Sequence, residues 1–323
     1  MSQYKNSRRI LPLDTLRGFA ILLVLVSHFF YQRIWGGEVG KLVYTFGDGG
    51  VLLFFLLSGY LIFKNLQTHS LYVFLHRRFF KLFPAYWVNV IVIAVLGQIV
   101  SDYPKFPLLS YVTSFFMVSD LFHQEGINGV YWTLFIEIKF YLLIALQHRF
   151  LGNRFVLLAP LLSLLGNIIV LMTTGKSSAL LTFLPVFYVG VEIYRAEQDD
   201  WKTRALLRLF AVTAIVAVSM LWSAPVGVVD KALYIIFDAV LFVVFLRFAW
   251  HFEFFSFYGR ISYSLYLYHT AIGFALFKLW AKSGMFSSEI QVILAILITT
   301  ILAGMSYLWI ENGGILIGKK LER

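Results

Sequence analysis

Cysteine is absent from the 323-residue chain. No disulfide framework, thiolate nucleophile or cysteine-ligated metal site can therefore be built, and cysteine usage says nothing of the redox compartment. Charge is also scarce. Asp, Glu, Lys and Arg make up 14% of the residues, against about 25% in ordinary soluble domains. No fixed-period repeat, low-complexity tract or linker interrupts the sequence. What it has in abundance is apolar surface: 60% hydrophobic residues and a mean hydropathy of +0.79. These values exclude a soluble globular enzyme, a disordered chain and a collagenous or coiled-coil fibre. They leave an all-α polytopic membrane protein. At about 20 residues per span, ten spans use about 200 residues, and no loop is left long enough to fold as a second domain.

Apolar windows fall at about 12–33, 44–64, 83–100, 130–147, 155–174, 178–195, 205–223, 231–250, 261–280 and 289–310. They predict ten transmembrane helices within a single domain over 1–323. Pro84 is expected to start the third. The first run follows Lys5, Arg8 and Arg9 like a signal peptide, but no small-residue cleavage site follows it, so an uncleaved helix is expected. The longest connection, 101–129, carries Asp102, Asp120 and Glu125, and its stretch 108–118 reads as interfacial. With the N-terminus inside, inner segments hold 18 Lys and Arg and outer segments 7, with Arg17 and Lys139 within spans. This positive-inside bias places both termini in the cytoplasm. It also accounts for most of the +10 net charge, so nucleic acid is not an expected partner.

Ionisable residues inside a membrane cost about 2.5–3.5 kcal/mol each on translocon scales and are functional candidates by default. Asp14, Arg17, His28, Asp48, Glu137, Lys139, Glu192, Asp238 and His269 lie within or at the edges of the windows. So many suit a polar cavity between helices better than a purely structural bundle. Arg17 and His28 are eleven residues apart, about three helical turns, which puts them on one face about 16 Å apart. Asp14 can pair with Arg17. Gly47, Gly49, Gly50 and Gly59 of the second helix suit close backbone packing, with Asp48 and Ser58 as its candidate cavity groups. Arg77, Arg78 and Lys81 read either as a positive-inside anchor or as a phosphate site, since arginine forks match phosphate oxygens. Glu137 lies at about the depth of His28 and could fix its ring, or it could neutralise Lys139 or Arg17. His269, beside Ser262, Ser264 and Tyr266, reads as a hydrogen-bonded packing residue or a candidate cavity group.

In order along the chain, Arg17 to His28 with ten residues between, GGVLLFFLLSG, RRFFKLFPAYW, WTLFIE followed by FY, ISYSLYLYH and YLWIEN resemble the successive motifs of the membrane acyltransferase-3 family. The matches run from residue 11 to about 320. The resemblance implies ten helices and transfer of an acyl group, usually acetyl, from cytoplasmic acyl-CoA. Acceptors in the family are hydroxyls of cell-surface polysaccharides and, in some members, of antibiotics or lipids. Two departures stand out. Lys81 replaces a frequent arginine, and no proline follows His269.

On this reading Arg17, Arg77, Arg78 and Lys81 hold the CoA phosphates, and His28, oriented by Glu137, is the general base. An acyl intermediate on His28 or Ser58 is the other open route. Asp48, Ser58, Trp132, Tyr141, Ser264 and His269 are candidate lining residues of the substrate cavity. No metal and no tightly bound cofactor is expected, with acetyl-CoA as donor substrate. The expected partners are a polysaccharide or lipid-linked glycan, membrane lipid and glycan-assembly proteins, and the expected location is a bacterial inner membrane. With no hydrolase-like domain appended, the chain is expected to act alone or to hand its acyl group on. The rival class is a glycan transporter or flippase, because intramembrane charges also mark transport paths. Orientation is testable in this cysteine-free chain: Lys105→Cys should react with an impermeant maleimide from the outer side only, and labelling confined to the cytoplasmic side reverses the topology.

Overall fold

The computed structural model describes residues 10–34, 37–124, 126–151, 156, 158–223 and 228–322. Lys5, Arg8, Arg9 and Glu125 of the sequence reading, and Arg154 and Arg323 among the 18 inner basic residues, lie outside them. The described residues form twelve α-helices and no strand: α1 (Leu11–Arg33), α2 (Gly37–Leu66), α3 (Leu71–Ile99), α4 (Leu108–Phe115), α5 (Tyr131–Leu151), α6 (Leu158–Thr174), α7 (Ala179–Gln198), α8 (Thr203–Ser223), α9 (Val228–Arg247), α10 (Glu253–Ser283), α11 (Ser288–Ser306) and α12 (Asn312–Leu321). Among the described residues, six helical stretches are long and apolar enough to cross a membrane: Leu11–Tyr31, Gly37–Leu66, Leu71–Ile99, Ala179–Gln198, Thr203–Trp222 and Ser288–Leu321. Four windows expected as spans, now α5, α6, α9 and α10, are not among these six. Two of the four, α5 and α10, carry much of the polar site described below, and those same residues dilute their apolar character.

The third helix begins earlier than expected. Ser70 caps it by accepting from the Val73 amide, the usual work of a serine at a helix start. Pro84 therefore lies inside the helix rather than at its start. An interior proline removes one amide donor and leaves the carbonyl four residues back without its helical partner. That carbonyl belongs to Phe80, and α12 lies against it: a Cβ on Gly314 would fall 2.4 Å from it. Between α11 and α12, residues Tyr307–Glu311 form one π-helical stretch, a local widening often found at functional sites. α4 covers part of the interfacial stretch and is reversed in polarity. Ser110, Thr113 and Ser114 are buried while Leu108, Leu109 and Val112 are exposed, which suits a helix resting against lipid.

Helix association in lipid depends on close packing rather than on apolar burial, and two crossings here are backbone against backbone. α1 packs along α10 and α2, and α2 along α7. At the first crossing, a Cβ on Gly18 would fall 1.7 Å from the Phe255 carbonyl oxygen, and one on Gly259 would fall 1.8 Å from that of Asp14. At the second, a Cβ on Gly59 would fall 1.9 Å from the Phe187 carbonyl oxygen and one on Gly190 1.9 Å from that of Leu56. Gly50 lies against the Ala20 carbonyl and Gly47 against Ser27, so these glycines of α2 are packing residues. Gly190→Ala should force α7 off α2 and cost on the order of 1–3 kcal/mol or more, read as a lower thermal midpoint in detergent. Gly304→Ala, with nothing within 4 Å, is the control and should be neutral or mildly stabilising.

Candidate active site

α1 is continuous from Leu11 to Arg33, so Arg17 and His28 keep the separation their spacing implies. The Arg17 end opens on two joined cavities. The outer, of about 230 Å³, is lined by Asn65, His69, Phe74 and Arg77 together with Arg17, Leu61, Arg78 and Lys81. These last four also line the inner cavity, of about 110 Å³. Further in, its wall carries Ser58, Glu137 and Tyr141, then Thr133, Tyr266 and Glu311. The cavity thus runs from a basic mouth to a mixed acidic and phenolic interior.

The cations at the mouth are not equivalent. Arg77 is engaged by the C-terminal segment: its Nε and Nη2 donate to the two Glu322 oxygens at 2.9 and 2.8 Å, and its Nη1 meets His69 Nε2 at 2.6 Å. These bonds hold the Glu322 carboxyl below its usual range, so the clasp is intact at neutral pH and is lost as acid protonates Glu322. Arg78 and Lys81 have no hydrogen bond or ion pair with a described residue. The Arg78 guanidinium instead stands over the rings of Phe74 and Tyr141, at 5.7 and 5.4 Å from their centroids. Arg17 has Asp14 at 4.0 Å. Arg17, Arg78 and Lys81 are thus the cations that line both cavities; Arg260, paired with Glu253 at 3.9 Å, lines the inner one, and Arg77 lines the outer one with its fork already filled.

The expected pairing of Glu137 with His28 is not what the structure shows. Glu137 Oε1 accepts from Ser58 Oγ at 2.7 Å and from Tyr141 at 2.5 Å, within the cavity wall. Neither Lys139 nor Arg17 takes its place, since Lys139 pairs with Asp120 and Arg17 with Asp14. His28 bonds instead to His269, Nδ1 to Nε2, at 2.9 Å, with the rings stacked at 5.1 Å. Glu137 lines the inner cavity with Arg17, whereas α1 packs on α10 and His28 meets His269 there.

The tautomers of this dyad follow from its surroundings. His269 is 0% exposed, and its Nδ1 lies 2.8 Å from the Tyr266 carbonyl and 3.2 Å from that of Leu265. Facing two acceptors, Nδ1 must carry the proton, so in the neutral ring Nε2 is the lone pair. That lone pair can only accept, so His28 donates from Nδ1 and keeps its own lone pair on Nε2. Among the described residues Nε2 of His28 has no partner, and it is not sealed from solvent. The dyad therefore offers one free, oriented imidazole nitrogen.

The inner cavity thus gathers Arg17, Ser58, Arg78, Lys81, Glu137 and Tyr141; neither His28 nor His269 lines it, and the wall residue nearest the dyad is Tyr266, whose ring lies 5.6 Å from that of His269. Four expected cavity residues are elsewhere. Ser264 and His269 are sealed within helix contacts. Asp48 pairs with Lys231 at 3.4 Å, and Trp132 packs on Phe55 and Phe183. Two features escaped the sequence reading. Glu311, buried at the end of the π-helical stretch, accepts from the amide and hydroxyl of Ser264 at 3.1 and 2.5 Å. Its signal was available: an acid within the apolar run YLWIEN. The direct contact of the two histidines had no local signal, since they lie 241 positions apart.

A family profile described as an acyltransferase domain matches residues 10–309. The chain belongs to this acyltransferase-3 family. O-acetyltransferase OatA of Staphylococcus aureus (strain NCTC 8325 / PS 47) is 28% identical, over 95% of this chain and 57% of the relative. The O-acetyl transferase of Shigella phage Sf6 is 30% identical over 48% of this chain and 52% of its own length. The chain thus spans little more than half the length of these curated relatives. No solved structure matches it. In this acyltransferase-3 chain the dyad can be tested without any substrate. Nitrogen-15 spectra of the labelled protein should show His28 and His269 as Nδ1–H tautomers. His269→Ala should abolish the hydrogen-bonded Nδ1 proton of His28, and an unchanged His28 signal would contradict the contact.

Proposed function

We propose that the chain is an integral membrane O-acetyltransferase that takes acetyl from cytoplasmic acyl-CoA and delivers it to a hydroxyl of a polysaccharide or lipid-linked glycan at a bacterial inner membrane. Ten spans with both termini in the cytoplasm complete the reading, because the positive-inside bias then puts the basic mouth on the side where the donor is found. The observation that carries it is the pairing of a basic mouth, free to bind phosphate, with a histidine dyad that leaves one imidazole nitrogen unpaired. Family membership and O-acetyltransferase relatives support the same reaction class.

Arg78, Lys81 and Arg17 would hold the donor phosphates at the mouth. Glu137, bonded to Ser58 and Tyr141, fixes the cavity wall and balances their charge. The thioester would pass Phe54 and Tyr266, whose rings meet edge to face at 6.1 Å at the inner end. At the dyad, His28 Nε2 would take the acceptor hydroxyl proton as that oxygen attacks the thioester carbonyl. His269 Nε2 would stabilise the resulting imidazolium through the bond it already accepts. Collapse expels the CoA thiolate, which recovers the proton from His28.

The test is acetyl transfer from acetyl-CoA to glycan extracted from the source cell envelope, by purified variants at matched protein level. His28→Ala should lose about 10²–10⁴-fold in rate while still binding acetyl-CoA. Arg78→Ala with Lys81→Ala should raise the donor KM and weaken its dependence on salt. Near-normal transfer by His28→Ala would eliminate the mechanism.

A further inference from the structure

A polar knot lies buried between α3, α5 and α10, apart from the cavities. Asn89 of α3 is 0% exposed. Its amide nitrogen donates to the Leu267 carbonyl of α10 at 3.1 Å, and its amide oxygen accepts from the Tyr131 hydroxyl at 2.7 Å. Asn128, just before α5, donates to the same Leu267 carbonyl at 3.2 Å and accepts from the Thr270 hydroxyl at 2.7 Å. Tyr103 adds a bond to the Ala271 carbonyl at 3.1 Å. Four of these five bonds end on residues 267–271 of α10, the turn that holds His269.

Such a network costs free energy to bury unless every member is satisfied, and when satisfied it fixes one arrangement of its helices. Here it grips α10 on both sides of His269 in sequence. The His269 ring is held in turn by carbonyls 265 and 266 of the same helix, so it has little freedom apart from the helix. A small rotation of α10 would carry the His269 Nε2 away from His28 Nδ1. We propose that Asn89, with Asn128 and Thr270, is the positioning centre of the histidine dyad: it sets the rotation of α10 that turns His28 Nε2 to the reacting hydroxyl. The proposal rests on the role given to His28 above.

Asn89→Leu keeps the approximate shape and removes the amide. It should lower kcat for acetyl transfer about 10²-fold, the scale of a displacement near 1 Å at a reacting group. The acetyl-CoA KM should stay within about twofold, because the mouth lies apart from the knot. His28 should also react more slowly with diethyl pyrocarbonate, followed by peptide mass spectrometry. Thr270→Val and Thr270→Ser separate shape from hydroxyl: Val should lose rate and His28 labelling, and Ser should recover most of both. Should Asn89→Leu fail to fold, this pair decides alone. Equal behaviour of the Val and Ser variants overturns the proposal. So does a folded Asn89→Leu with wild-type kcat, or one whose only defect is a raised donor KM. If His28→Ala retains transfer, the reading of the reaction fails, while the labelling rates still show whether the knot positions His28.

Discussion

The contact on which the site depends is the crossing of α1 and α10, where Gly18 and Gly259 let the two backbones meet. Every other residue type would place a Cβ where a carbonyl oxygen already stands. That closeness puts Arg17 and His28 of one helix beside Arg260, Tyr266 and His269 of the other. The basic end and the histidine end are therefore parts of one rigid pair rather than of two domains that must close on each other. Since lipid supplies little drive for helices to associate, the small-residue crossing is the cause of the site's geometry as much as of its stability.

Charge distribution follows from the same constraint. Cations held within a bundle are costly unless water, an acid or a ligand answers them. Arg77 is answered within the chain by Glu322, and Arg17 faces Asp14. Arg78 and Lys81 face a cavity with Glu137 and Glu311 in its wall, close enough to moderate the field but bonded elsewhere. An anion entering the mouth would thus meet cations that have no ion pair to break, which favours binding of phosphate there over at Arg77.

Long-period features were legible in the sequence. Apolar runs located the helices, two of the intramembrane charges, Arg17 and Glu137, fell on the cavity wall, and the eleven-residue spacing put Arg17 and His28 on one face. What escaped was whatever depends on which helix lies next to which. Residue counting along two helices suggested a similar depth for Glu137 and His28, but Glu137 lines the cavity with Arg17 and His28 does not. Pro84 looked like a helix start because proline favours that position. The cap at Ser70 and the packing of α12 over the freed Phe80 carbonyl let it sit inside instead. The Asn89 knot was invisible for a related reason: asparagine in an apolar run signals burial or a turn only once its partners, 39 and 178 positions away, are known.

The dyad itself makes physical sense as a base in a low-dielectric place. A carboxylate partner would bring a full charge into the bundle before any reaction, with a desolvation cost at all times. A neutral histidine brings none, yet its lone pair is ready when His28 gains a proton. In the proposed mechanism the charge would appear only during transfer, shared along an existing hydrogen bond. Such a partner is useful only if it cannot turn or exchange tautomers. The carbonyls of Leu265 and Tyr266 fix the proton on His269 Nδ1, and the knot around Asn89 fixes the helix that carries those carbonyls. Orientation of one nitrogen is thus traced through helix position to a handful of neutral hydrogen bonds, none of which adds charge to the membrane interior.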